Sequence, residues 1–155
     1  MRTGAFLALV LAAGLGLAVG LAAGARSDLG PAFGVARTAT LSGSTEVPAG
    51  DSDGTGKALI RLNVKEGLVC WSVAIRGVDP MVAAHIHHGA AGVAGPVVVP
   101  LGTPQQVGSS AFATKGCATA PRALIRDIIA NPADYYYNTH NKQFPGGVVR
   151  GQLAR

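Results

Sequence analysis

The chain has 155 residues, of which 48% are hydrophobic and only 14% are charged. This composition excludes an intrinsically disordered protein, and the length is that of one domain rather than two. The net charge is +5, but the basic residues are scattered. Because no stripe of Lys and Arg could follow a phosphate backbone, we expect no nucleic-acid partner.

The first 25 residues are typical of an export signal. Arg2 precedes an apolar segment over residues 5–25, which ends in the small residues Ala23-Gly24-Ala25 that signal peptidase accepts. The segment is also long enough to span a membrane, so a retained N-terminal anchor is the alternative. Only in that case do we expect contact with a membrane. Both alternatives predict an extracytoplasmic protein, either secreted, periplasmic or at the cell surface.

The remaining chain has the pattern of an all-β domain. Residues 26–37 show no periodicity and are expected to be a linker, which leaves residues 38–155 as the domain. Short apolar runs there alternate with Gly, Pro and Asp turns. The predicted strands are 38–41, 57–64, 68–76, 81–87, 95–101, 112–117, 135–140 and 148–153. Pro96 and Pro100 indicate that the strand over 95–101 is short or lies near a sheet edge.

One short helix is expected near residues 121–130. Pro121 occupies a favourable first-turn position, and Asn131-Pro132 ends the helix. Between them one apolar stripe is formed by Leu124, Ile125, Ile128 and Ile129. About seven strands with one helix predict a β-sandwich or a small barrel.

The chain contains two cysteines, Cys70 and Cys117. An even number of cysteines in an exported chain predicts one disulfide bond. The alternative is that both thiolates bind a metal ion. The oxidising compartment and the absence of a CxxC spacing disfavour that alternative.

All four histidines lie in two short motifs, with His85, His87 and His88 in the first and His140 in the second. Residues i and i+2 of a strand point to the same face, so His85 and His87 are expected to project together. Two imidazoles from one strand and a third from another form a geometry that Zn²⁺ or Cu²⁺ accepts. We therefore predict His85, His87 and His140 as candidate copper or zinc ligands, with His88 as a further candidate.

The alternative interpretation of these histidines is structural. In that case His85 and His87 would donate hydrogen bonds to backbone carbonyls or to Asn138 and so tie two strands together. Tyr136 and Asn138 share a strand face with His140 and are expected to surround the same site.

The last predicted strand carries a second polar group. Arg150 and Gln152 share one face of this strand, where the guanidinium could bind a carboxylate or support a histidine. The competing expectation is that Arg150 satisfies carbonyls of the turn at residues 144–147. Glu46 is the acid expected to pair with Arg150.

Several motifs in this order resemble the CHRD (chordin-type) domain family. The resemblance covers about residues 39–153 and implies an extracytoplasmic all-β module, immunoglobulin-like in architecture. It also implies a small exported member without an assigned reaction, whereas chordin itself is an extracellular antagonist of bone morphogenetic proteins. The matching segments are residues 41–48, 54–58, 84–89, 95–98, 136–140, 144–147 and 150–153.

A fainter resemblance points to the Greek-key sandwich of copper–zinc superoxide dismutases. Those enzymes use six histidines and one aspartate for two metals, whereas this chain has only four histidines. Full dismutase chemistry is therefore not expected.

Two functional expectations follow from these patterns. The first is a non-catalytic binding or structural module that contacts an extracytoplasmic protein or a cell-surface component, because the sequence offers no nucleophile with an adjacent base. The second is a mononuclear copper or zinc protein that uses the histidine cluster.

Overall fold

The computed structural model describes residues 34–155. The expected signal or anchor at residues 1–25, and residues 26–33 of the expected linker, lie outside the described residues. Within residues 34–155, no helix has both the length and the apolar character needed to cross a membrane.

In the described part of the chain, nine antiparallel strands form one curled sheet. Its strand order is β5-β4-β8-β9-β1-β2-β3-β7-β6. Because β5 also contacts β7, the two ends of the sheet approach each other. The result is the predicted all-β, sandwich-like fold. The strands are β1 (Val35–Ser42), β2 (Thr55–Asn63), β3 (Leu68–Arg76), β4 (Ala83–His88), β5 (Val97–Gly102), β6 (Gln105–Gly108), β7 (Ala111–Thr119), β8 (Tyr135–His140) and β9 (Arg150–Gln152).

The core forms on the concave side of the curled sheet, where alternate strand residues are apolar. In β2 these residues are Ala58, Ile60 and Leu62, all of which are buried. The predicted helix is confirmed as α1 (Arg122–Ala130), which buries Ile125 and Ile128. Burial of such side chains is the main favourable term in folding.

Several predicted boundaries differ from the observed ones. Strand β1 begins at Val35, inside the expected linker, because residues 35–42 pair along their whole length with β2. Strand β6 was not predicted, since all four of its residues are exposed and only Val107 is apolar. The last strand shortens to Arg150–Gln152, and the two buried residues Val148 and Val149 precede it.

The predicted disulfide bond is confirmed between Cys70 of β3 and Cys117 of β7. These residues lie directly opposite each other in the antiparallel register. The bond links positions 47 residues apart in the sequence. It therefore closes a large loop that includes β4, β5 and β6.

Candidate metal centre

Two adjacent strands place three imidazoles on the same face of the sheet. His85 and His87 point to one side of β4, while Ile86 between them is fully buried in the core. Strand β8 runs beside β4, with Asn138 opposite His85 and His140 opposite Ala83. The third imidazole therefore lies diagonal to His85, on the neighbouring strand.

The three rings form a close cluster. Ring centroids lie 5.5 Å apart for His85 and His87, 5.0 Å for His85 and His140, and 6.0 Å for His87 and His140. One ring nitrogen of each residue lies within 4.8 Å of the others. The alternation predicted from the sequence thus brings the three candidate ligands together.

Hydrogen bonds to backbone carbonyls determine which nitrogen of two rings carries the proton. His87 Nδ1 lies 2.8 Å from the Gly95 carbonyl oxygen, and His140 Nδ1 lies 3.0 Å from that of Pro145. Because a carbonyl oxygen can only accept, each Nδ1 is the donor. The Nε2 atom of a neutral ring then keeps its lone pair, as in histidines that bind metals.

Three of the four remaining ring nitrogens of the cluster are buried and find no hydrogen-bond partner within residues 34–155. They are His85 Nδ1, His87 Nε2 and His140 Nε2. A buried polar atom without a partner costs about 1–3 kcal/mol. The arrangement therefore leaves one unsatisfied nitrogen on each of three neighbouring rings.

Burial also keeps two of these rings neutral. Burial lowers the pKa of His85 to about 4, with smaller contributions from the nearby His140 and His87. Burial lowers the pKa of His87 as well, although the Gly95 carbonyl and the nearby Asn138 side chain oppose this effect. Neutral imidazole is the form that binds a metal ion.

Tyr136 and Arg150 support the cluster from one side. The Tyr136 ring stacks on His87 with centroids 4.8 Å apart, and Arg150 Cζ lies 3.4 Å from the Tyr136 ring centroid. Arg150 donates hydrogen bonds to the carbonyls of Ala90 and Val93. It therefore holds the loop at residues 89–95, which includes the carbonyl acceptor for His87, against the sheet.

The expected partners of Arg150 were wrong in detail. The guanidinium binds carbonyls of the 89–95 loop rather than those of the 144–147 turn, and its other contact is the Gln152 side chain. The guanidinium is nevertheless near enough to Glu46 for its charge to lower the pKa of that carboxyl. The guanidinium is 1% exposed, so these carbonyls and the amide replace the water that it loses.

Glu46 is buried beside Gly147. A side chain at position 147 would collide with the Glu46 carboxylate, so the close approach requires glycine. Burial raises the Glu46 pKa to about 7, while Asn138 and Arg150 oppose the shift. Glu46 lies near Asn138 and Arg150, but it is not one of the three grouped candidate ligands.

His88 lies apart from the other histidines. It is exposed and pairs with Tyr135 at the end of β4, with ring centroids 4.9 Å apart. The alternation along β4 directs His88 to the side opposite His85 and His87. The structure therefore separates this fourth candidate ligand from the cluster.

A family model described as CHRD domain matches residues 37–153. The chain belongs to the CHRD family. This membership confirms the resemblance inferred from the sequence motifs. No curated protein and no solved structure matches the chain.

The sequence predicted a backbone carbonyl as a possible acceptor for His87 but not which one, and it gave no acceptor for His140; the acceptors are the carbonyls of Gly95 and Pro145. Both residues lie in motifs of the CHRD family. The only available signal was the presence of those motifs, since a backbone carbonyl has no signature in side-chain chemistry.

Proposed function

We propose that this CHRD protein holds one copper or zinc ion between His85, His87 and His140. The carrying observation is that three neighbouring rings each keep one buried nitrogen without a partner, while two rings are oriented by carbonyls at the opposite nitrogen. An ion between the rings would satisfy all three nitrogens at once. Backbone acceptors of this kind are typical of histidines that bind metals.

The spacing of the rings supports the proposal. Bonds of about 2.0–2.1 Å to one ion place the nitrogens of tetrahedral ligands roughly 3.4 Å apart. One ring nitrogen of each histidine lies within 4.8 Å of the others, so the nitrogens that bind the ion would close by up to about 1.4 Å. His85 and His140 are only partly buried and can rotate toward His87. His87 is held by Gly95 and Tyr136.

The donor set supports copper or zinc over other ions. Imidazole nitrogens suit both of these metals, whereas calcium and magnesium require oxygen ligands. Within residues 34–155, the ligand group contains three histidines and no carboxylate. The donor set therefore favours copper or zinc.

We place this activity outside the cytoplasm. The Cys70–Cys117 disulfide is compatible with an oxidising compartment, and residues 1–25 resemble an export signal. The protein is proposed to hold the ion without turning over a substrate. Each of these three nitrogens exposes less than 1 Å² to solvent, which disfavours direct contact between a substrate and an ion held by them.

Metal analysis of the full protein, purified from its native compartment without an affinity tag, tests the proposal. We expect about one equivalent of copper or zinc, and a rise in Tm when metal is added to the metal-free protein, because an ion that binds only the folded state stabilises it. His85→Ala, His87→Ala or His140→Ala should each remove the bound ion and the rise in Tm. His88→Ala is the matched control and should retain both.

The opposite result would favour a purely structural role for the histidines. Less than about a tenth of an equivalent of metal, together with an unchanged Tm after metal addition, would contradict the proposal, since a real site stabilises the fold by mass action.

A further inference from the structure

We infer that the histidine centre is three-coordinate and prefers Cu⁺ to Cu²⁺ and Zn²⁺. The inference rests on the proposed function and adds to it the oxidation state and the coordination number of the ion. It depends on how closed the cluster is, on the lack of a suitable fourth donor and on the charge around it.

The centre is closed to water. His85 Nδ1, His87 Nε2 and His140 Nε2 each expose less than 1 Å² although their rings face one another. A solvent molecule that completed the coordination of a bound ion would have to lie beside these atoms. In the metal-free protein no water-sized space lies beside these atoms, so a solvent ligand could enter only if the side chains moved apart.

The protein itself offers no strong fourth ligand. Within residues 34–155 the group of neighbouring candidate ligands consists of His85, His87 and His140. His88 points to the other side of the sheet, and Glu46 does not belong to the group. Asn138, opposite His85, has a buried Oδ1 atom without a partner in residues 34–155. A neutral amide oxygen is a hard donor that suits Ca²⁺ or Mg²⁺ rather than copper.

A closed site with three ligands discriminates among the ions that imidazole binds. Zn²⁺ is almost always four-coordinate in proteins, and Cu²⁺ adopts tetragonal arrangements with at least four ligands. Cu⁺ has a filled d shell without such a geometric requirement, and it forms stable complexes with three nitrogens. Only Cu⁺ is therefore satisfied by His85, His87 and His140 alone.

The positive charge around the cluster also favours Cu⁺ over a divalent ion. All three ligands are uncharged when they bind, so the full charge of the ion remains in a buried place. Arg150 adds a positive charge near His87, since its Cζ lies 3.4 Å from the centroid of the Tyr136 ring that stacks on His87. Burying an uncompensated charge is costly, and a divalent ion costs more than a monovalent one.

The test compares three ions on the full protein. Cu⁺ is supplied without oxygen, with bicinchoninate as a competing ligand, and Cu²⁺ and Zn²⁺ are titrated against chelators of known affinity. We expect Cu⁺ to bind roughly 100-fold more tightly than either divalent ion, because each divalent ion lacks one ligand. X-ray absorption of the Cu⁺ form should show three nitrogen neighbours and no fourth atom.

Two variants sharpen the comparison. His85→Ala should not retain the ion through purification, and the weak binding that remains in titrations should prefer Cu⁺ over Cu²⁺ at least about tenfold less than the wild type does, because water can enter. His88→Ala, on the other side of the sheet, should keep the wild-type preference. If His85→Ala does not fold, the X-ray absorption of the wild type still decides the coordination number.

The outcomes separate this inference from the proposed function. Equal or tighter binding of Cu²⁺ or Zn²⁺, or a fourth oxygen or nitrogen neighbour of the bound Cu⁺, would overturn three-coordination while a metal site remained. Failure to bind any of the three ions would overturn both.

Discussion

Glu46 is a buried carboxyl whose ionisation the fold resists. Its side chain is 6% exposed, and burial raises its pKa to about 7 from an ordinary value of 4.5. Between these two pH values the folded state binds more protons than the unfolded state. The free energy of unfolding therefore falls as the pH rises from 4.5 to about 7, by at most roughly 3 kcal/mol.

The metal-free His85 imidazole has the opposite effect. Its pKa is lowered to about 4 in the fold, so the unfolded state binds the extra proton between pH 4 and 6.5. Stability from this group is full above pH 6.5 and is lost as the pH falls toward 4. In the pH range where both groups titrate, their contributions partly cancel in the wild-type protein.

Glu46→Gln should separate the two effects. The amide keeps the size of the side chain but cannot ionise. As the pH rises from 4.5 to 7.5, the free energy of unfolding of the variant should therefore increase by roughly 1–3 kcal/mol relative to that of the wild type. Urea unfolding of the metal-free proteins at these two pH values measures the gain. Glu66→Gln changes an exposed acid and serves as the control. The same stability difference at both pH values would contradict a buried, raised pKa for Glu46.

At the scale of elements, the 89–95 loop and strands β8 and β9 act as one support for the histidine cluster. Arg150 stacks on Tyr136 and binds the carbonyls of Ala90 and Val93. The same loop presents the Gly95 carbonyl to His87. The orientation of a candidate ligand on β4 thus depends on a side chain two strands away.

Arg150→Lys should weaken this support. A lysine cannot reproduce the planar fork or the stack, so at least one loop carbonyl loses its donor, at a cost of about 1–3 kcal/mol. We also expect metal affinity to fall about 10–100-fold, because His87 loses its fixed acceptor. Urea unfolding and a metal titration measure the two effects. The exposed Arg126→Lys on α1 is the control, and unchanged affinity in Arg150→Lys would show that the loop does not orient His87.

The same elements show how far the sequence predicts this centre. Alternation in β4 was sufficient to place His85 and His87 on one face, and the strands over 68–76 and 135–140 were predicted with their observed bounds. The partner strand of β4 could not be read from local pattern, because pairing with β8 is a contact between distant segments. The closeness of His140 therefore remained a hypothesis until the register was known.

Loop contacts were less predictable than strands. Arg150 was expected to bind a turn close to it in sequence, but it binds carbonyls 57 and 60 residues away. Strand β6 was missed for a related reason: its residues are exposed on both faces, and it exists because it pairs with β7. In both cases the deciding interaction is tertiary and leaves no periodic signal.

At the scale of the whole molecule, the disulfide and the histidine cluster occupy different regions of one sheet. The cluster lies on β4 and β8, whereas Cys70 and Cys117 join β3 and β7. Strands β9, β1 and β2 separate β8 from β3 in the sheet order, and β5 lies between β4 and β7 where the ends of the sheet approach each other. Substitutions at distant sites without shared partners usually have additive effects.

Removal of the disulfide should therefore reduce stability without removing the proposed ion. The double variant Cys70→Ser and Cys117→Ser opens a loop between positions 47 residues apart. We expect it to lose about 2–4 kcal/mol of unfolding free energy, because the unfolded chain gains conformational freedom. Urea unfolding of the metal-free protein measures this loss, and a metal titration at a temperature where the variant stays folded should give the wild-type stoichiometry and affinity. Loss of the ion from a folded double variant would instead show that the cysteines and the histidines are coupled across the sheet.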